Sequence, residues 1–242
     1  DMSGTELLEV YPEEWLDFRC RQYARLCQRL REGAYRARPD SLFGIYSGLQ
    51  DPWCKERYTT DWRYLGDSCD YAVGTIGSFE TTHEALGDTP LMGRVGIYHC
   101  PTYEYNPARL MRTYIDSGGY GLRMFSLHYY DGQILQGAAK LSRFMAQYSD
   151  ILMNHKRQDG LAETGDEKLK PRVLVSEDGR RRLIVLINGT DNPREITLTV
   201  SDLPGQWRGQ FGRTGRQIAD VSSIPVSVRA WSWQTVDLRR ID

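Results

Sequence analysis

No two cysteines in this 242-residue chain stand at CxxC spacing, and the five present, Cys20, Cys27, Cys54, Cys69 and Cys100, are odd in number. That scatter argues against a disulfide framework and against a zinc site, so no metal is expected. It fits a reducing compartment such as the cytoplasm. Long apolar runs are also missing. The longest, such as Leu183 to Ile187, fall far short of the roughly 20 residues a membrane helix needs, so no membrane partner is expected. Neither sign of charge dominates. The 31 basic and 32 acidic residues leave a net charge of −1, and no long-range field would gather nucleic acid. No GxGxxG and no P-loop follows any strand-like segment, so a nucleotide cofactor has no support and none is expected. What is there is a globular composition, 40% hydrophobic and 26% charged, long enough for one large core or two smaller ones.

The periodicities divide the chain in two. Pro12-Glu13-Glu14 opens a helical pattern, Trp15, Phe18, Tyr23, Leu26, Cys27 and Leu30, with acidic residues in the first turn; it ends near Gly33. Strand-like segments "LFGIYSG", "DYAVGTIGS", "LMGRVGIYH" and "YGLRMFSLHYY" then alternate with helical ones over about 150 residues, which argues for parallel pairing through crossover helices. Residues 154–170 are polar, charged and without period, and read as a linker or an excursion. Past Pro171 short strands joined by turns, the first around Glu177-Asp178-Gly179, predict a small antiparallel β-sandwich over 171–242 with no catalytic group. Alternation along its last strand places Trp231 or Trp233 inward.

Four stretches carry a resemblance to a known family. "EEWLDFRCRQYARLCQRLRE…RPD", "TTDWRYLGDSCDYAVGTIGS" and "SGGYGLRMFSLHYYDGQILQGAAKLSRF" resemble, in order, the helix after strand four, the Asp-Trp helix leading to strand six, and strand eight with its helix, of a clan A glycoside hydrolase. The terminal "VRAWSWQTVDL" is similar to the last strand of that family's appended β domain, and the pattern looks most like bacterial β-galactosidases. The resemblance implies the C-terminal half of a (β/α)8 barrel in residues 1–153, with strands five to eight at 42–48, 70–77, 91–99 and 121–128. It also implies that a missing N-terminal half, or a self-associating copy, completes the barrel. The expected activity is hydrolysis of a β-linked carbohydrate. The alternative is a catalytically inactive relative that binds carbohydrate or a protein partner.

Retaining glycosidases hold two carboxyl groups about 5–5.5 Å apart, one of them a nucleophile. In the resembled family that nucleophile is a Glu at the tip of strand seven, where this chain has Tyr98-His99. The nearest acid is Glu104, five residues past His99, and Glu80 after strand six is the second candidate. The ordinary roles for these two are a solvated loop residue and a helix-capping residue. Tyr46, Tyr98, His99, His128 and Tyr129 stand at expected strand tips, where barrels place their sites, and are candidates for substrate binding.

Overall fold

In the computed structural model, which describes residues 3–74, 78–96, 106–125, 132–212 and 214–242, the chain divides into two units. One comprises Asp1–Gly96 with Asp116–Phe125, the other Ile97–Ile115 with Ser126–Asp242.

The first unit begins with α1 (Gly4–Val10). Its free N–H groups are met by a reciprocal cap, the Ser3 hydroxyl accepting from the Glu6 N–H and the Glu6 carboxylate from the Ser3 N–H. Helix α2 (Pro12–Ala37) starts where a proline costs no hydrogen bond and runs a turn beyond the end expected at Gly33. Its buried stripe is Cys20, Ala24 and Cys27, whereas Phe18, Leu26 and Leu30, which carry much of the sequence periodicity, are about half exposed.

After α2 come β1 (Gly44–Tyr46), α3 (Pro52–Tyr58), α4 (Trp62–Leu65), β2 (Tyr71–Gly74), α5 (Phe79–Leu86), β3 (Leu91–Gly96) and β4 (Leu122–Phe125). The four strands form one parallel sheet in the order β1-β2-β3-β4, as their alternation with helices predicted. Ile45, Ala72 and Leu91 stand level on neighbouring strands. They pack with Leu49, Trp62, Leu65 and Leu86 and with Ala24 and Cys27 of α2. The Trp62 indole N–H donates to the Gly48 carbonyl at 2.8 Å, so the largest buried side chain of this core keeps its polar atom satisfied. At the other end of β1, the Asp70 carboxylate accepts from the Phe43 N–H at 2.6 Å, from Arg31 Nη2 at 2.6 Å and from the Tyr35 hydroxyl, tying α2 to the sheet.

The second unit takes most of α6 (Pro107–Asp116), then α7 (Gly132–Gln147), α8 (Ser149–Leu152) and nine strands: β5 (His155–Arg157), β6 (Ala162–Glu163), β7 (Arg172–Ser176), β8 (Arg181–Asn188), β9 (Arg194–Val200), β10 (Trp207–Phe211), β11 (Gln217–Ile218), β12 (Ser223–Val228) and β13 (Ser232–Arg240). They make two antiparallel sheets, β11-β10-β13-β8-β7-β5 and β12-β9-β6. One apolar core lies between them, with Val173, Ile184, Leu186, Val236 and Leu238 from the larger sheet meeting Leu198, Ile224 and Val226 from the smaller.

The stretch 154–170, expected as a linker or an excursion, holds β5 and β6, which pair with β7 and β9 and so add an edge strand to each sheet. A strand of two or three residues is too short for its alternation to show in sequence. The hairpin between β7 and β8 turns where expected, and Gly179 there takes φ +68°, a conformation a Cβ disfavours. Neither candidate tryptophan joins the core. Trp231 has φ +49° at the start of β13 and donates its indole N–H to Asp191, and Trp233 falls out of step with the inward Val236 and Leu238.

Candidate functional site

In a parallel sheet, residues at one level on neighbouring strands point to the same side, and successive levels alternate. Here the level Tyr46–Val73–Met92 is followed by Gly74–Gly93–Leu122 and then by Arg94–Arg123. Gly74 belongs to the helix-covered side with Ala72, since a Cβ there would meet the Leu49 side chain at 2.7 Å. The opposite side therefore carries Tyr46, Val73, Met92, Arg94 and Arg123. On the same side, at the start of the strands, Gly44 lacks the Cβ that would strike the Tyr71 ring at 2.2 Å.

Tyr46, a predicted binding residue, is the last residue of β1 and is 41% exposed. Two cations meet its ring: Cζ of Arg123 lies 4.4 Å from the centroid and Cζ of Arg94 5.1 Å. Both distances are those of cation–π contacts. Arg94 is only 8% exposed, while Arg123 is exposed and forms no ion pair with any described residue. Sequence reasoning passed over both arginines. Each is the lone charge in an apolar strand, "LMGRVG" and "LRMF", and that interruption was the available signal.

Beyond the strand ends, the loops after β1 and β2 are held together. Gln50 forms an antiparallel bridge with Ser78, its N–H donates to the Thr82 hydroxyl at 2.8 Å, and the Thr81 hydroxyl donates to its carbonyl at 3.2 Å. The Gln50 side chain accepts from the Trp62 N–H at 2.8 Å and donates to Asp61 at 3.2 Å. Asp61 is fully buried. It caps α4 and holds Arg63 through two contacts, 2.9 Å to Nε and 2.5 Å to Nη2, with Lys55 at 3.4 Å. Burial by itself would push this carboxyl up, but the hydrogen bonds from Arg63 and Gln50 and the charges of Arg63 and Lys55 outweigh it and hold it at about 2. Asp61 is thus a permanent anion spent on loop structure.

Glu80, a predicted catalytic residue, is exposed in the first turn of α5, where its charge suits the helix dipole. The cap it was weighed for is supplied by Ser78, whose hydroxyl accepts from the Thr81 N–H at 3.4 Å. No described contact joins Glu80 to Tyr46, Arg94 or Arg123. Glu104, Tyr98, His99, His128 and Tyr129 lie outside the described residues. Among the described residues no three His, Cys, Asp or Glu side chains gather as metal ligands, and no helix is long and apolar enough to cross a membrane. The described cysteines are buried and form no disulfide with one another, and burial pushes their thiols up, that of Cys69 to about 11.

No family model matches the sequence, and no curated protein matches it. In fold the chain is similar to a glycoside hydrolase family 30 subfamily 8 xylanase from Clostridium acetobutylicum, with a TM-score of 0.51 at 9% identity over 98% of this chain and 61% of that one. It is also similar to a family 27 β-L-arabinopyranosidase from Geobacillus stearothermophilus, with a TM-score of 0.52 at 11% identity over 90% of this chain and 60% of that one. The chain thus spans about three fifths of the length of each. At such identities the likeness is one of fold, a mixed α/β arrangement shared with glycoside hydrolases.

Proposed function

We propose that this chain is the C-terminal part of a glycoside hydrolase acting on a β-linked carbohydrate. In this reading residues 1–153 supply strands five to eight of a (β/α)8 barrel of clan A, of the bacterial β-galactosidase type, and residues 171–242 form a supporting β-sandwich. The observation that carries it is the parallel sheet β1-β2-β3-β4, in unbroken chain order and with α2 and α4 packed on the side of Ile45, Ala72 and Leu91. A closed barrel builds its wall in that way, with its interior on the other side. The fold likeness to two glycoside hydrolases agrees with it. The outer edges of β1 and β4 pair with no described strand, and such edges call for the missing half of the barrel or a second copy of this chain.

Glu104 is the proposed nucleophile, with Tyr46, Tyr98, His99, His128 and Tyr129 lining the substrate cleft. Glu80 is the weaker candidate, because no described contact brings it to the face that holds Tyr46. The second reading, an inactive relative that binds carbohydrate or protein, draws on one feature, the Tyr98-His99 tip where the resembled family has its catalytic Glu.

Aryl β-glycosides test the proposal, assayed with the chain alone and with the encoded residues that precede Asp1. Replacement Glu104→Gln is expected to lower turnover by at least 1,000-fold, on the order of a lost nucleophile, while sugar binding persists. Unaltered turnover would exclude Glu104, and no turnover of any glycoside by the longer protein would favour the binding reading.

A further inference from the structure

We propose that the outer face of α2 is a self-complementary dimer surface, on which a second copy of this chain docks its own α2 in the antiparallel sense. Residues 11, 14, 18, 22, 25 and 29 follow one another at steps of three and four, so they form one stripe, and it runs on the side of the helix away from the buried Cys20, Ala24 and Cys27. Every member of the stripe is exposed. Tyr11 and Phe18 on it, and Leu26 and Leu30 along one side of it, are large apolar side chains about half exposed to solvent. A single such residue is ordinary, but four along one helix make a patch of the kind that marks an interface. The Phe18 ring stacks on Trp15 with 5.5 Å between centroids, which holds it in place before any partner arrives.

The charges along the helix identify the occupant. Its first turns are acidic, with Glu13, Glu14 and Asp17, whereas from Arg25 onward the exposed charges are Arg25, Arg29 and Arg36 against one acid, Glu32. Arg25 and Arg29 stand four residues apart on one face, where like charges repel, and neither they nor Glu14 form an ion pair with any described residue. Parallel docking of two such helices would oppose like ends. Antiparallel docking about a two-fold axis beside Gln22 instead sets Glu14 of each copy opposite Arg29 of the other, and Phe18 opposite Arg25 and Leu26. A two-fold uses every contact twice, so one chain serves as its own partner. Gln22, Arg25, Leu26 and Arg29 border a hollow on this face, which is where the Phe18 ring of the other copy seats. This surface lies on the helix and not on the outer edges of β1 and β4, so the dimer is a different association from one that completes a barrel.

Sedimentation equilibrium of the full-length protein reads the dimer without requiring turnover. A monomer–dimer equilibrium is expected at micromolar concentration, weakening as salt rises. Glu14→Arg and Arg29→Glu should each weaken it at least tenfold, because each sets like charges across the two-fold. The variant carrying both reversals, and an equimolar mixture of the two single variants, should recover most of the loss. Phe18→Lys should abolish the dimer with the circular dichroism of the fold unchanged, and Gln22→Cys, beside the axis, should cross-link two copies under mild oxidation. A monomer at every concentration overturns the proposal. So does a dimer that Phe18→Lys and both charge reversals leave intact, since the sheet edges would then hold it. Reversals that weaken the dimer further when combined also overturn it, because Glu14 and Arg29 would not face each other. A monomer that binds phosphatidylserine vesicles through Phe18, Arg25 and Arg29 would assign the face to a lipid surface and overturn the dimer too. Glycoside hydrolysis by a monomer would sink the dimer and keep the hydrolase reading, and a dimer that hydrolyses no glycoside would do the reverse.

Discussion

The two units of this chain arrange their strand arginines differently. In the antiparallel unit the buried charge is neutralised by contact. Arg181, at the start of β8, reaches the almost fully buried Asp237 through two hydrogen bonds of 2.8 and 3.0 Å and also contacts Asp150, and Arg239 adds a 3.2 Å contact to Asp237. Its neighbour Arg182 donates through Nη1 to the Ser201 carbonyl and through Nη2 to the Asp202 carbonyl. The parallel sheet sets two arginines side by side, each within cation–π distance of the Tyr46 ring.

The largest effect is expected where neutrality is complete. Asp237→Ala strands the Arg181 guanidinium in the core and should cost about 3–5 kcal/mol in denaturant unfolding of the transition that reports this unit. A loss below about 1 kcal/mol would mean that Asp150 suffices and that the buried pair is not what balances this sheet.

Asp61 gives the corresponding test in the parallel unit. Its carboxyl sits at about 2 in the folded chain against an ordinary value of 3.8, so the folded state binds its proton less tightly than the unfolded state does. The stabilisation is therefore fully present above the ordinary value and fades as pH falls from about 4 to about 2. Its size is on the order of 2 kcal/mol. Urea titrations across that window should show the loss, and Asp61→Asn should flatten it.

The smallest effect concerns backbone rather than charge. Gly179→Ala places a Cβ at φ +68° with open space around it, so only conformational strain should register, about 1 kcal/mol in the same unfolding transition. Together with Asp237→Ala it separates what the β7–β8 turn contributes from what the charge beside it contributes.

Much of the fold was legible because it is written in local periodicity. The strand cores at 44–46, 71–74, 91–96 and 122–125 lie inside the apolar segments that announced them, and the turn at Gly179 lies where Glu177-Asp178-Gly179 placed it. The partners of those segments were less legible. Of the α2 pattern, Cys27 and Tyr23 do pack against the sheet core, with Ala24 beside them, whereas Phe18, Leu26 and Leu30 are about half exposed, because close approach of a helix to a sheet favours short side chains. Alternation placed Trp231 or Trp233 inward, but alternation alone does not tell which parity of a strand faces in. Of the candidate site, Tyr46 was found as a strand-tip aromatic, while Arg94 and Arg123 read singly as ordinary strand interruptions.

By itself the sequence determined the order and kind of the elements, since hydrophobic period, helix caps and turn residues act over a few neighbouring positions. The tertiary structure alone decided the register that sets Arg94 beside Arg123, the pairing of Arg181 with Asp237 across 56 residues, and the recruitment of β5 and β6 from a polar stretch into the two sheets. Each of these depends on which strands become neighbours, and that choice is made by burial of the whole chain, to which any short segment contributes only a part.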